Sequence, residues 1–161
     1  IAPILRMPPD PAALSREDRL IERARKVLAR RLMTCKSVIA SLATARDFLM
    51  FELAEEGREV FYAIFLNSQN GVIAFEPLFV GTLAQTSVHP REVVRRSLEL
   101  GAAAVILAHN HPSGTGDPSQ ADRLLTDTLK TALALVDVRV LDHFIVAGAA
   151  WPTSFAERGL L

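Results

Sequence analysis

One cysteine, Cys35, stands in a chain of 161 residues. No disulfide can form within the chain, zinc sites built from several cysteines are excluded, and a cytoplasmic setting is the simpler expectation. No apolar run approaches the roughly 20 residues of a membrane-spanning helix, so no membrane association is expected. The start, Ile1-Ala2-Pro3, shows no basic-then-apolar signal pattern and has no initiator Met, so upstream residues are expected. The string H-E-x-x-H is absent, which removes the thermolysin-like plan, and the lone cysteine removes the zinc nucleoside deaminases, which need P-C-x-x-C. There is no internal repeat and no low-complexity segment. Charged residues make up only 22% against 50% hydrophobic, enough apolar material for a core, and the length suits one domain or one domain with an appendage.

Net charge is zero but unevenly spread. Residues 1–36 hold nine Lys/Arg against four Asp/Glu, a net of +5, and the rest of the chain balances it. A basic start of this kind admits a nucleic-acid contact. The plainer reading is a solvated helix face, because Arg and Lys are good helix formers and no aromatic is interleaved for base stacking.

The punctuation predicts an irregular arm over residues 1–14, with four prolines, and a helical N-terminal extension over 15–57. Within it, Leu20, Ile21, Ala24, Val27, Leu28 and Leu32 recur at helical spacing, so a helix is expected over about 16–32 with Ser15 as N-cap. A second is expected over about 44–55, ended by Gly57. Residues 58–161 then form the main domain. Strands are expected over 60–66, 72–75, 78–83, 103–108 and 138–147, with a turn at Asn70-Gly71 and a short strand or turn from Trp151. Helices are expected over about 90–100, with Pro90 first and Gly101 closing, and over about 119–135. Strands alternating with helices, plus one hairpin, predict an α/β fold in which a mixed sheet is covered by helices on both faces.

The string His109-Asn110-His111-Pro112, followed by Ser119 and Asp122, carries the chemistry. Side chains at i and i+2 of an extended segment point the same way, so His109 and His111 can face one metal while Asn110 points away. The intervening loop holds Gly114, Gly116 and Pro118 and can turn the chain so that Asp122, about one turn into the next helix, enters the same space. Two imidazoles and a carboxylate are ligands that zinc accepts, and three protein ligands leave a position open, as a catalytic zinc requires. Ser119 and Asp122 alone also form a good capping box, and the two readings are compatible.

H-x-H-P followed by S-x-x-D resembles the core of the JAMM/MPN metalloprotease motif. The longer string His109 to Gly114, then Pro118-Ser119 and Asp122, is similar to the RadC-like branch. Gly81-Thr82-Leu83, Val88 to Glu92, Asp142 to Val146 and Ser154 to Gly159 agree with it in order. The resemblance implies a zinc-binding α/β sandwich of JAMM/MPN-like, cytidine-deaminase-like architecture, with Zn²⁺ on His109, His111 and Asp122. It implies a general base at the start of an early hydrophobic strand, the place of Glu59, with Glu55, Glu56 and Glu76 as rivals. Ser119 would then donate to the oxyanion. The implied activity is hydrolysis of peptide or isopeptide bonds in a peptide or protein substrate. The alternative is a metal-stabilised binding module near DNA, since RadC-like proteins carry a historical DNA-repair label. The Gly-rich hairpin of a helix-hairpin-helix is not evident in residues 1–57.

Among other residues, His143 beside Asp142 invites a second site but reads more simply as structural. His89, before Pro90, reads as a cap or surface residue, and Cys35 as a buried or idle thiol. Ser113 and Asn110 are placed near the pocket. Trp151 stands where RadC-like proteins often carry tyrosine.

Overall fold

A computed structural model describes residues 15–34, 38–81 and 88–161, with the side chains of 38–41 excepted. The arm over 1–14, Cys35 and the far end of the strand expected over 78–83 lie outside the described residues. Among the described residues, four helices and five strands follow in the order α1 (Arg16–Thr34), α2 (Val38–Leu53), β1 (Val60–Leu66), β2 (Val72–Val80), α3 (Pro90–Glu99), β3 (Ala104–Asn110), α4 (Gln120–Ala134), β4 (Arg139–Val146) and β5 (Thr153–Ser154). No helix of the described residues is long and apolar enough to cross a membrane.

The strands form one mixed sheet in the order β2-β1-β3-β4-β5, in which only β3 and β4 run parallel. β1 and β3 are buried along their whole length, which is why both read as continuous apolar runs without alternation. Alternate residues of these strands still serve opposite faces. Tyr62, Ile64, Ile106, Ala108 and Phe144 pack with Leu32 of α1 and Ala45, Phe48, Leu49 and Leu53 of α2. Phe61, Ala63, Phe65, Val105 and Leu107 pack on the other face with Val93 of α3 and Leu129 and Leu133 of α4. Helices thus cover both faces, as the alternation of elements leads one to expect.

Three boundaries differ from the sequence expectation. α2 begins at Val38 rather than near 44. β2 is one strand across Pro77 where two are expected from the sequence, over 72–75 and 78–83; it lies at the sheet edge, and the β1–β2 register shifts between Phe61/Tyr62, which pair with Phe79 and Pro77. An edge strand with a bulge tolerates a residue that lacks an N–H. β3 continues two residues past its apolar run, through His109 and Asn110, because the parallel ladder with β4 carries on to Val146.

Candidate metal centre

His109 is the sixth residue of β3 and lies on the α3/α4 face. His111 follows the strand end, where its backbone N–H donates to the Val146 carbonyl at 2.9 Å and so keeps the chain extended. The period-two alternation therefore puts both rings on one face, with Nε2 of His109 and Nε2 of His111 2.9 Å apart. Beyond Pro112 the loop turns through Gly114, whose φ of +79 favours glycine, and Ser119 caps α4. Ser119 and Asp122 form a complete capping box: Asp122 N–H donates to Ser119 Oγ at 3.1 Å, and Ser119 N–H and hydroxyl both donate to Asp122 Oδ2 at 2.7 Å. The same carboxylate faces the rings, with Oδ1 3.2 Å from His109 Nε2 and Oδ2 3.4 Å from His111 Nε2. Among the described residues, this trio is the one group of His, Cys, Asp or Glu side chains drawn together closely enough to hold a metal ion.

The donor chemistry fits a cation. Nδ1 of His111 lies 2.6 Å from the Thr115 carbonyl, which can only accept, so Nδ1 carries a proton and Nε2 is the atom turned to the cluster, a lone pair for a metal or, without one, a donor to Asp122. Its hydrogen bond with Asp122 raises the His111 pKa, burial opposes this, and the Thr115 carbonyl adds to the rise. For Asp122, burial pushes upward, but hydrogen bonds from His109, His111 and Ser119 outweigh it and hold the carboxyl well below the usual range. A group of lone pairs and an ionised carboxylate facing inward is a place where positive charge, as protons or a metal, is stabilised.

Glu59 immediately precedes β1, two residues before Phe61, the partner of His109 across the ladder. It is partly buried, and His109, His111 and Asp122 are its charged neighbours. Burial raises its pKa, the two histidines pull it down and Asp122 pushes it up, with a net rise. Of the rival carboxylates, Glu76 is held by Arg96 across β2 and α3, Glu55 is exposed after the end of α2, and the Glu56 backbone carbonyl accepts from Asn110 Nδ2.

Asn110 has a part that the sequence did not reveal. Its side chain leaves the α3/α4 face, as the alternation predicts, and is 2% exposed. Its Oδ1 accepts from Val60 N–H at 2.7 Å, and its Nδ2 donates to the carbonyls of Glu56 at 3.0 Å and Arg58 at 2.9 Å. These bonds bracket Glu59, so the residue between the two histidines clamps the segment that carries the carboxylate. H-N-H shows an amide at the centre of the motif; only the pairing of β1 with β3 shows what it grips.

His89, expected as a cap or a surface residue, is exposed at the N-cap position of α3 and makes no side-chain cap bond, so it is the surface residue of the two; its ring lies 6.0 Å from that of Phe79, edge to face. His143, read as structural rather than as a second site, is buried against His109, with Nε2 2.8 Å from His109 Nδ1, a contact that the sequence did not show. The neighbouring Asp142 is structural. Its carboxylate accepts from His143 N–H, Ser154 hydroxyl and Ala156 N–H, which pins the C-terminal segment. Ser113 is exposed in the loop, and Trp151 is exposed with the Arg46 guanidinium over its ring.

The model of one protein family, described as the RadC-like JAB domain, matches residues 39–160. A UPF0758 protein of Leptothrix cholodnii is 54% identical over 151 residues, 94% of this chain and 67% of its own length. UPF0758 proteins of Dechloromonas aromatica and Thiobacillus denitrificans are 57% and 58% identical over 87% and 88% of this chain, and 62% of each relative is covered. The chain spans about two thirds of the length of the curated relatives it matches.

Proposed function

This chain belongs to the RadC-like JAB domain family, and from that premise we propose that it is a zinc-dependent hydrolase of peptide or isopeptide bonds. The observation that carries the reading is the convergence of His109 Nε2, His111 Nε2 and the Asp122 carboxylate beside a partly buried Glu59 whose pKa is raised. Zinc, when bound, supplies a Lewis acid that polarises a carbonyl and acidifies water. Glu59 accepts the proton of the attacking water at its carboxylate and returns it to the leaving nitrogen, for which a raised pKa is suited. The Ser119 hydroxyl donates to the oxyanion, a contact worth about 3 kcal/mol where such a donor matters. To do so it turns away from Asp122 Oδ2, its acceptor in this structure. The substrate is a peptide or protein, and the basic helix α1 is free to serve its solubility or its partners without touching this chemistry.

The test pairs metal content with a peptide-cleavage profile. Purified chain is expected to bind about one zinc, lost in His109→Ala, and to generate new termini from a mixed peptide and isopeptide library. Glu59→Gln is expected to keep the zinc and the fold and to lose cleavage, because an amide cannot take the proton. Cleavage that survives in Glu59→Gln removes the base. A zinc-loaded wild type that cuts nothing in the library turns the reading toward a metal-stabilised binding module.

A further inference from the structure

His109 Nδ1, His143 Nε2, His143 Nδ1 and Thr126 Oγ1 form an unbroken line inside the protein. The two rings meet at 2.8 Å and the second ring meets the hydroxyl at 2.7 Å. The line ends on the backbone carbonyl of Asp122, 2.6 Å from Thr126 Oγ1. That carbonyl can only accept, and this gives every bond in the line its direction. Thr126 donates its one proton to the carbonyl; a hydroxyl turned toward His143 instead would leave two oxygens facing each other at 2.6 Å. Thr126 Oγ1 therefore accepts from His143 Nδ1–H. In the neutral His143 ring Nε2 is then an acceptor, and His109 donates to it from Nδ1.

We infer that His143 is a positioning residue for the proposed metal centre: it takes the Nδ1 proton of His109 in a hydrogen bond and so fixes Nε2 of that ring as the ligand atom, on the side of His111 and Asp122. The inference rests on the metal-centre reading. The line is closed, since it starts from the main chain of Asp122 and returns, through His109, to the side chain of the same residue. Packing holds the geometry. His143 is 0% exposed, with Phe155 stacked on it at 4.8 Å and the Phe61 edge at 5.7 Å, while Phe61 also stacks along His109. The ring is fully buried and its two nitrogens face only Thr126 and His109, with no carboxylate to offset a charge, so it carries a single N–H. Asp142 bonds the His143 backbone and not the ring. His111 reaches the same end by a shorter route, its Nδ1 directed by the Thr115 carbonyl. Partners of this kind fix the tautomer and the orientation of ligating imidazoles.

The test has a metal-free arm and a metal arm. Long-range ¹⁵N–¹H spectra of the metal-free chain are expected to show a proton on Nδ1 of both His109 and His143; a His109 with no proton on Nδ1 overturns the inference. Zinc affinity is then measured by chelator competition, with zinc alone as the probe. His143→Phe, which keeps a ring but offers no acceptor, is expected to lose about 10- to 100-fold in affinity. Thr126→Val is expected to weaken zinc binding in the same direction, and Thr126→Ser, which keeps the hydroxyl, to restore it. Affinity within twofold of wild type in a folded His143→Phe overturns the relay. Should that variant not fold, equal affinities for Thr126→Val and Thr126→Ser overturn it instead. A wild-type chain that takes up no zinc overturns the metal centre itself, and the inference with it, whatever the tautomers.

Discussion

Replacing Asn110 with alanine separates the clamp from the cluster beside it. The side chain is 2% exposed and makes three hydrogen bonds, to Val60 N–H and to the carbonyls of Glu56 and Arg58. A hydrogen bond of this kind contributes about 1 kcal/mol net, and a buried N–H left without a partner costs somewhat more, so the loss comes to about 3–4 kcal/mol. At about 2–4 °C per kcal/mol for a chain of this size, the melting temperature is expected to fall by roughly 10 °C. Zinc binding is expected to survive in the folded variant, because His109 is set by β3 and His111 by its bond to Val146. Hydrolysis is expected to drop, because the segment bearing Glu59 loses its anchor. The assay is a calorimetric melt of the zinc-loaded and the stripped protein, with zinc stoichiometry on the same samples. A melting temperature within about 2 °C of wild type would show that water or the ladder bond from Gly81 N–H to the Glu59 carbonyl holds this segment without Asn110.

Two further outcomes follow from the same geometry. The His111 pKa is raised in the folded, metal-free chain, so its contribution to stability is present below the unfolded value of about 6.5 and is lost as pH rises through the higher folded value. Zinc competes for the same lone pairs, so its affinity is expected to rise over that window; calorimetric titrations at two pH values check the sign, and affinity that falls with rising pH contradicts it. Asp142→Ala is expected to release the Ser154–Ala156 segment, so that limited proteolysis cuts beyond Val146 sooner than in the wild-type chain; equal cutting in the two contradicts it.

The sequence made legible what is local. His109 and His111 share a face because a strand alternates every two residues, and Asp122 reaches them because a capping box fixes the first turn of α4. The apolar runs of β1 and β3 marked the middle of the sheet, and Pro90 with Gly101 bounded α3 to within a residue or two. What escaped depends on contacts between distant segments. His143 lies 34 residues from His109, and no spacing rule joins a β4 ring to a β3 ring before the parallel register is known. Asn110 looked like a pocket residue because its neighbours are; its acceptors and donors lie about 50 residues upstream, on backbone atoms that carry no signature in the side-chain pattern. His89 had the position of a cap without the bond, since an imidazole before proline can also turn outward against Phe79.

The ends of the sheet bear on how copies of this chain meet one another. A strand with unpaired N–H and C=O groups along one side is a template for another chain, and long flat edges invite aggregation. Among the described residues one edge is β5, only two residues long. The other is β2, where Pro77 brings no N–H and the bulge beside it bends the ladder. Replacing Pro77 with a β-branched residue would give β2 a full set of donors over nine residues. Pro77 thus takes one donor out of an edge strand beside a buried, apolar centre, which makes β2 a poorer template for a further strand.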